Sequence, residues 1–270
     1  MRIYSVFGGI PYYNRLIDGK KSVRENIIDL IASPGARLEN EVSMYLSSEI
    51  SKITNANEVF EALAKGFSRY KDILDQSHVS SGPALVDVLD KLIRMDVVDK
   101  ITPINDENNR KKSGYFISDN LSLFYYKYIF RNSSRMNIMD SDIFYDRYIA
   151  EDFETKICPK VFEDVCRQYL IRIEWDAWMR FLKNRKYYYD DPVERKNGEF
   201  DIVTLDDKGY IFYEAKFRKE PVTEQMIEKE IVQVKQTGLE CYKYGFFSKS
   251  GFACEERENR SLIELKELYR

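Results

Sequence analysis

Four side chains of this chain have the types and spacing to do chemistry together: Glu163, Asp201, Glu214 and Lys216. Asp201 stands in Gly198-Glu-Phe-Asp-Ile-Val203 and Glu214 in Glu-Ala-Lys216, two stretches of period-two alternation joined by Asp206-Asp-Lys-Gly209. That pattern reads as a β-hairpin. Along its second strand Glu214 and Lys216 point to one face, Tyr213 and Ala215 to the other; on the first, Asp201 shares its face with Glu199. Pairing across the hairpin brings Asp201 close to Glu214. Two carboxylates that near each other repel and raise a pKa unless a cation sits between them. Oxygen-only ligands with open positions suit Mg²⁺ or Mn²⁺, which polarise a phosphodiester and lower the pKa of an attacking water. Lys216 is then placed to orient or deprotonate that water, or to stabilise the charge of the phosphorane. Glu163, on a preceding helix, is a further candidate ligand. The plainer alternative is a half-exposed charged hairpin, since Glu-x-Lys is common on strands and such cross-strand pairs contribute little.

The elements that must position these groups lie in the last 120 or so residues. A helix from about Glu154 to Arg172 presents Phe162, Val165, Cys166, Tyr169 and Leu170 on one face. After the hairpin, Thr223 to Thr237 reads as helix, Tyr242 to Phe247 as strand, and the charged tail as a final helix. The order is α-β-β-α-β-α, with room for another strand between Trp175 and Tyr189. Trp175 and Trp178 read as core, and the Tyr187-Tyr-Tyr189 run as strand packing or, alternatively, a base-stacking platform.

Upstream, Val6 to Tyr13 is a turn-prone cluster, and the first helix is expected over Arg24 to Ile31, stopped by Ser33-Pro34-Gly35. A further amphipathic stretch covers Glu39 to Ile50. Three helices of bundle length follow, Glu58 to Lys65, Arg69 to Asp75 and Pro83 to Met95. The third has Leu85, Val88, Leu89 and Leu92 as an apolar stripe, with Ser80 or Ser81 as N-cap and Pro83 in the first turn. Val97-Val98 and Tyr115-Phe-Ile117 then read as strands around a basic tip, Arg110-Lys-Lys112. Three helices and a hairpin make a winged helix. An aromatic helix from Leu121 to Phe130 and a polar connection from Arg131 to Asp142 lead to a domain boundary near Asp152. The expected division is 1–55, a helical lid-like segment; 56–150, winged helix-turn-helix and linking helix; and 151–270, an α/β domain.

Composition narrows the chemistry. The chain has one histidine, His78, which excludes a multi-histidine metal centre and makes a capping or solvent role the expectation for that residue. Its four cysteines show neither a C-x-x-C pair nor the spacing of a secreted disulfide scaffold. Lys+Arg (42) nearly balances Asp+Glu (45), so the net charge of −3 requires any DNA contact to be local. On the third helix Asp87, Asp90 and Asp96 offset Lys91 and Arg94; Arg69, Lys71 and the tip residues remain for backbone contacts. No apolar run reaches the length of a membrane span and no signal-peptide layout opens the chain, so a cytoplasmic protein is expected.

Glu163 in Val-Phe-Glu-Asp, Asp201 in Gly-Glu-Phe-Asp-Ile-Val and Glu214-Ala-Lys216 resemble the acidic helix residue, the Asp and the E-x-K of the PD-(D/E)XK nuclease superfamily. More broadly, Phe7-Gly-Gly-Ile-Pro-Tyr-Tyr13, the Ser33-Pro34 stop, Tyr115-Phe-Ile-Ser-Asp119 and Phe124 to Phe130 resemble the region after the ATPase core in predicted archaeal and bacterial ATPases of AAA+ type. The resemblance implies a winged helix followed by a restriction-endonuclease-like domain. It further implies that Asp201, Glu214 and Glu163 hold a divalent metal, Mg²⁺ or Mn²⁺, that Lys216 assists the water, that Gln233 on the following helix is a weaker candidate for an accessory polar position, that DNA is the substrate cut, and that an ATPase core is a partner. The chain contains no G-x-x-x-x-G-K-[ST] sequence, so ATP hydrolysis by it alone is not expected. The rival expectation is a non-catalytic DNA-binding or protein-interaction module that partners or regulates an ATPase.

Overall fold

A computed structural model describes residues 1–44, 53–102, 113–177, 183–191 and 196–269, with side chains described outside 174–199. The chain forms two compact units, divided after Ile157. Among the described residues no helix is long and apolar enough to cross a membrane.

The first unit opens with α1 (Arg2–Phe7) and α2 (Pro11–Leu16) on either side of Gly8-Gly9. The turn expected from Val6 to Tyr13 is therefore confined to the glycines. Burial of Val6 and Phe7 supports the first helix, Gly8 ends it with φ +61°, and Pro11 starts the second in the N-terminal position its fixed φ suits. α3 (Val23–Leu30) starts in a capping box: Ser22 Oγ accepts the Glu25 N–H, and the Glu25 carboxylate accepts the Ser22 N–H at 2.6 Å. The stretch expected to continue as helix to Ile50 passes outside the described residues after Met44.

α4 (Ala56–Ala64), α5 (Tyr70–Ser77) and α6 (Gly82–Arg94) lead into the antiparallel pair β1 (Val98–Ile101) and β2 (Gly114–Ile117), to which Arg69 adds one bridge at Gly114. Ser81 caps α6 by accepting the Ala84 N–H, and Leu85, Val88, Leu89 and Leu92 are buried as their spacing requires. His78 ends α5 exposed, with φ +53°. The basic tip Arg110 to Lys112 lies outside the described residues.

The aromatic helix α7 (Asn120–Phe124) widens to a π-turn over Tyr125–Ile129. Phe60 of α4 stacks on Tyr126 with centroids 4.8 Å apart, and Tyr126 donates from its hydroxyl to Asn57 Oδ1. The supposed polar connection after Phe130 is instead structured: it contains α8 (Ser133–Ile138) and the start of α9 (Ser141–Tyr148), capped by Asp140. Buried Met136 and Phe144 anchor the two helices in a segment whose average polarity hides them. A short α10 (Ala150–Asp152) and a π-turn, Phe153–Ile157, complete the unit.

The second unit is a five-stranded sheet of order β3-β4-β5-β6-β7. α11 (Cys158–Ala177) precedes β3 (Lys183–Asp191), β4 (Lys196–Asp206) and β5 (Gly209–Lys216), which pair antiparallel. α12 (Glu224–Lys235) then carries the chain to β6 (Cys241–Ser248), parallel to β5, and β7 (Arg260–Glu264) adds in parallel beyond it. Phe212, Tyr244 and Phe246 pack with Ile227, Ile231 and Val234 of α12 on one face of the sheet. Tyr213 and Phe247 lie on the other, where Phe247 meets Tyr169 of α11. β3 occupies the space foreseen for an extra strand. The charged final helix is absent: its place is taken by β7 and a 3₁₀ turn, Leu265–Tyr269. The reason is tertiary. Arg260, almost fully buried, meets both carboxylate oxygens of Glu224 at the start of α12, at 2.9 and 3.0 Å, so a charged residue serves the core of this unit.

Tyr213 lies across Gly245 on the neighbouring strand, and a Cβ built there would stand 2.1 Å from the ring. Gly245→Ala is expected to destabilise the second unit by about 1–3 kcal/mol, the usual cost of overpacking, read as a lowered denaturation midpoint.

Candidate functional site

The hairpin that holds Asp201 and Glu214 is paired from Asp206↔Gly209 to Ile202↔Tyr213, around a turn in which Gly209 has φ +125°. On the outer side of β4 the register jumps from Arg185↔Val203 to Tyr187↔Phe200. Asp201 and Ile202 therefore face a single position of β3, which is a β-bulge on β4. A bulge re-aims the side chain it contains. Here Asp201 turns toward β5: its Oδ2 accepts the main-chain N–H of Ala215 at 3.1 Å, just beyond the last described pair of the β4–β5 ladder.

Glu214 and Lys216 share the face of β5 that α12 covers. Lys216 Nζ donates to Glu214 Oε1 at 2.6 Å and to Glu230 Oε1 of α12 at 2.9 Å. All three side chains are about one-fifth exposed, at 18, 23 and 21% for Glu214, Lys216 and Glu230. Glu230 is a residue the sequence reading missed. Its signal was available: it lies three residues after Ile227, on the side of α12 that meets the sheet, whereas the accessory position had been sought one turn later at Gln233.

The electrostatics follow from burial and charge count. Burial pushes the Glu214 carboxyl up to about 8, and the negative charges of Asp201 and Glu230 push the same way against the pull of Lys216. Lys216 is held above its ordinary value, because attraction to Glu214 and Glu230 outweighs the burial that works to lower it. A lysine in that state is a fixed ammonium and a hydrogen-bond donor. Of the three roles expected of it, orienting a water and stabilising phosphoryl charge are compatible with this arrangement and deprotonating a water is not.

Glu163 sits one turn before Cys166 on α11. The Cys166 thiol is pushed well above the thiol range by burial first and then by the charges of Asp201 and Glu163, so both carboxylates lie in its neighbourhood. Asp201 thus faces Glu214 on one side and the Cys166 turn of α11 on the other. Among the described residues no three His, Cys, Asp or Glu side chains form a ready metal cluster. The structure brings Asp201, Glu214 and Lys216 to one end of β5 and leaves Glu163 on the adjoining helix. The donors present are hard oxygens with excess negative charge, and the upward shift of Glu214 is the effect a divalent cation reverses; in kind, the site fits Mg²⁺ or Mn²⁺. The expectations for Glu199, Trp175, Trp178 and Tyr187 to Tyr189 concern side chains outside the described set.

Comparison with known proteins gives relatives without an assigned activity. Residues 125–231, from the π-turn of α7 through most of α12, match DUF234, a family described as archaea bacterial proteins of unknown function. The chain is 26% identical over 268 residues to the uncharacterized protein MJECL04 of Methanocaldococcus jannaschii. That similarity covers 96% of this chain and 57% of the relative, so the chain spans little more than half the length of the curated protein it matches. Among solved structures, protein VC1899 of Vibrio cholerae aligns over 91% of this chain and 57% of its own, with 12% identity and a TM-score of 0.29.

Glu214 titrates far above the 4.5 of an ordinary glutamate. A group raised on folding favours the folded state below its unfolded pKa and loses that contribution as pH rises through its folded one. Glu214→Gln is therefore expected to gain stability relative to wild type as pH rises from about 4.5 toward 8, measured by urea denaturation at both ends of that window. A stability difference that does not change with pH would show that the Glu214 carboxyl is not shifted.

Proposed function

We propose that the chain is a metal-dependent phosphodiester hydrolase acting on DNA, with a restriction-endonuclease-like second unit and a winged-helix module in the first. The observation that carries this reading is the convergence of Asp201, Glu214 and Lys216 where the bulged β4 leaves β5. Asp201 and Glu214 are the residues that would hold a divalent cation, with Glu163 as a further ligand from α11. A Mg²⁺ or Mn²⁺ ion supplies charge to polarise the scissile phosphodiester and to acidify the attacking water.

Each protein group has a task in this scheme. Asp201 is aimed by its bond to Ala215 and needs no rearrangement to present its carboxylate at the sheet end. Glu214 would be shared between Lys216 and the cation, and Lys216 would keep its anchor in either case, because Glu230 also accepts from it. Glu230 is thus the positioning residue that keeps the ammonium beside the reacting phosphate, where it donates to the attacking water or to a phosphoryl oxygen and stabilises the charge that develops there.

In the first unit, α4 to α6 with the β1–β2 pair supply the elements of a winged helix, but the exposed side of α6 favours a protein rather than DNA as what it meets. Lys91 is tied to Asp87 at 2.7 Å, and Asp90 lies beside them on the outward side with exposed Val86. An ATPase core of AAA+ type, implied by the sequence resemblance, is the partner we assign to that module.

Labelled duplex and single-stranded DNA incubated with Mg²⁺, Mn²⁺ or EDTA test the reading. Metal-dependent cleavage by wild type, abolished in Asp201→Ala and in Lys216→Ala, is the expected result. Glu230→Gln should retain the fold and cut about 10–100-fold more slowly, the usual loss for an outer-shell partner. Absence of cleavage by folded wild type on every substrate would overturn the hydrolase reading in favour of a non-catalytic module.

A further inference from the structure

We propose that the carboxyl ends of β5 and β6 form a phosphate-gripping edge, built from Arg218, Lys219 and Lys249, which holds the backbone of a nucleic-acid strand beside Glu214 and Lys216. The proposal rests on the hydrolase reading of that site. The chain as a whole is acidic, yet Arg218, Lys219 and Lys249 stand here with Glu220 as the carboxylate beside them in sequence, while Lys216 is held by Glu214 and Glu230. A nucleic-acid contact that had to be local finds its place on this edge.

Lys249 follows Ser248, the residue paired with Lys216, and its N–H donates to the Lys216 carbonyl at 3.2 Å. Its ammonium lies 4.3 Å from the centroid of the Phe217 ring, and Phe217 rests on Phe162 of α11. Among the described residues no carboxylate pairs with Lys249. An aromatic ring fixes the direction of the ammonium without neutralising it, which leaves its charge available to an anion.

The loop around it is built rather than loose. Ser248 Oγ donates to the Gly251 carbonyl at 2.8 Å and accepts the Ser250 N–H, while Ser250 Oγ donates to the Arg218 carbonyl at 2.6 Å. Gly251, at φ +80°, also accepts from the Val222 N–H. These bonds lock the main chains of Lys249 and Arg218 to each other. Arg218 itself is poorly matched: Nη1 meets only the Met226 thioether, Nη2 a surface carboxylate, Glu220, at 3.2 Å, and Nε is buried without a partner. A thioether is a weak acceptor, and an exposed pair of this kind contributes little, so a phosphate would be a better partner than either. On α6 Lys91 is already paired with Asp87, and exposed Asp90 stands on the same helix as Arg94.

Fluorescence anisotropy of labelled single-stranded and duplex oligonucleotides, with Ca²⁺ in place of Mg²⁺, reads binding apart from cleavage. Lys249→Ala and Arg218→Ala are expected to weaken binding several-fold, each reducing the slope of log affinity against log salt by about 0.7–0.9. Lys249→Arg should bind as wild type does, and Lys91→Ala should change nothing. Lys249→Gln, which keeps the aliphatic stem on Phe217, replaces Lys249→Ala if that variant loses its thermal unfolding transition. Variants at 218 and 249 that bind like wild type with an unchanged salt slope would overturn this inference and leave the hydrolase reading intact, as would an equal loss in Lys91→Ala. Wild type that binds neither oligonucleotide and cuts neither overturns both.

Discussion

Where β4 parts from β5, the main-chain ladder gives way to one hydrogen bond from the Ala215 N–H to the Asp201 carboxylate. The bulge makes this bond available by adding a residue to β4, and the bond in turn sets where a charged group stands at the end of the sheet. Everything else in the site is referred to that point. Glu214 precedes Ala215 on the same strand and Lys216 follows it, so the one contact fixes Asp201 against both. An alanine or asparagine at 201 would alter the charge; loss of the bulge would alter the geometry.

The second organising fact is an imbalance of charge in a half-buried place. Glu214 and Glu230 share one ammonium, Asp201 adds its charge beside Glu214, and burial makes each unmatched charge more costly than it would be in water. The protein answers part of the excess by holding Glu214 in its protonated range and Lys216 as a firm cation. A cation from solution would answer it differently, by allowing Glu214 to ionise. Under the hydrolase reading this is the arrangement a metal would act on, and a hydrophobic end to β5 would offer it nothing to hold.

The apolar parts of the second unit serve this end of the sheet. Phe212, Tyr244 and Phe246 hold α12 against β5 and β6, which brings Glu230 to Lys216. On the opposite face Phe162 and Phe217 join α11 to the strand end, and the same ring that completes this contact aims Lys249. Packing and the placement of charge are therefore coupled through particular rings, and a substitution among them changes the position of a charge as well as the stability of a core.

Much of this was legible in the sequence because it depends on local pattern. Period-two alternation and the Asp206 to Gly209 turn defined the hairpin and put Glu214 and Lys216 on one face; helical spacing and Ser81 defined α6 and its buried stripe. Where neighbours in space outweigh local pattern, the sequence was less informative. The helices of the glycine-flanked start are six residues each, too short for a periodic signal, and those of the Arg131 to Asp142 stretch are anchored by buried Met136 and Phe144 within polar surroundings. β7 looked like a charged helix because Arg260 reads as a surface residue until Glu224 is brought against it. Asp201 was recognisable as a candidate from its type and strand, but its aim depends on a bulge that alternation does not encode. Glu230 has no meaning for chemistry until α12 folds over β5 and makes it the second acceptor of Lys216. The sequence by itself determined which groups line the hairpin and on which face. The tertiary structure decided which of them meet, because burial and proximity between residues far apart along the chain exist only once the sheet and its two helices have closed around the strand end.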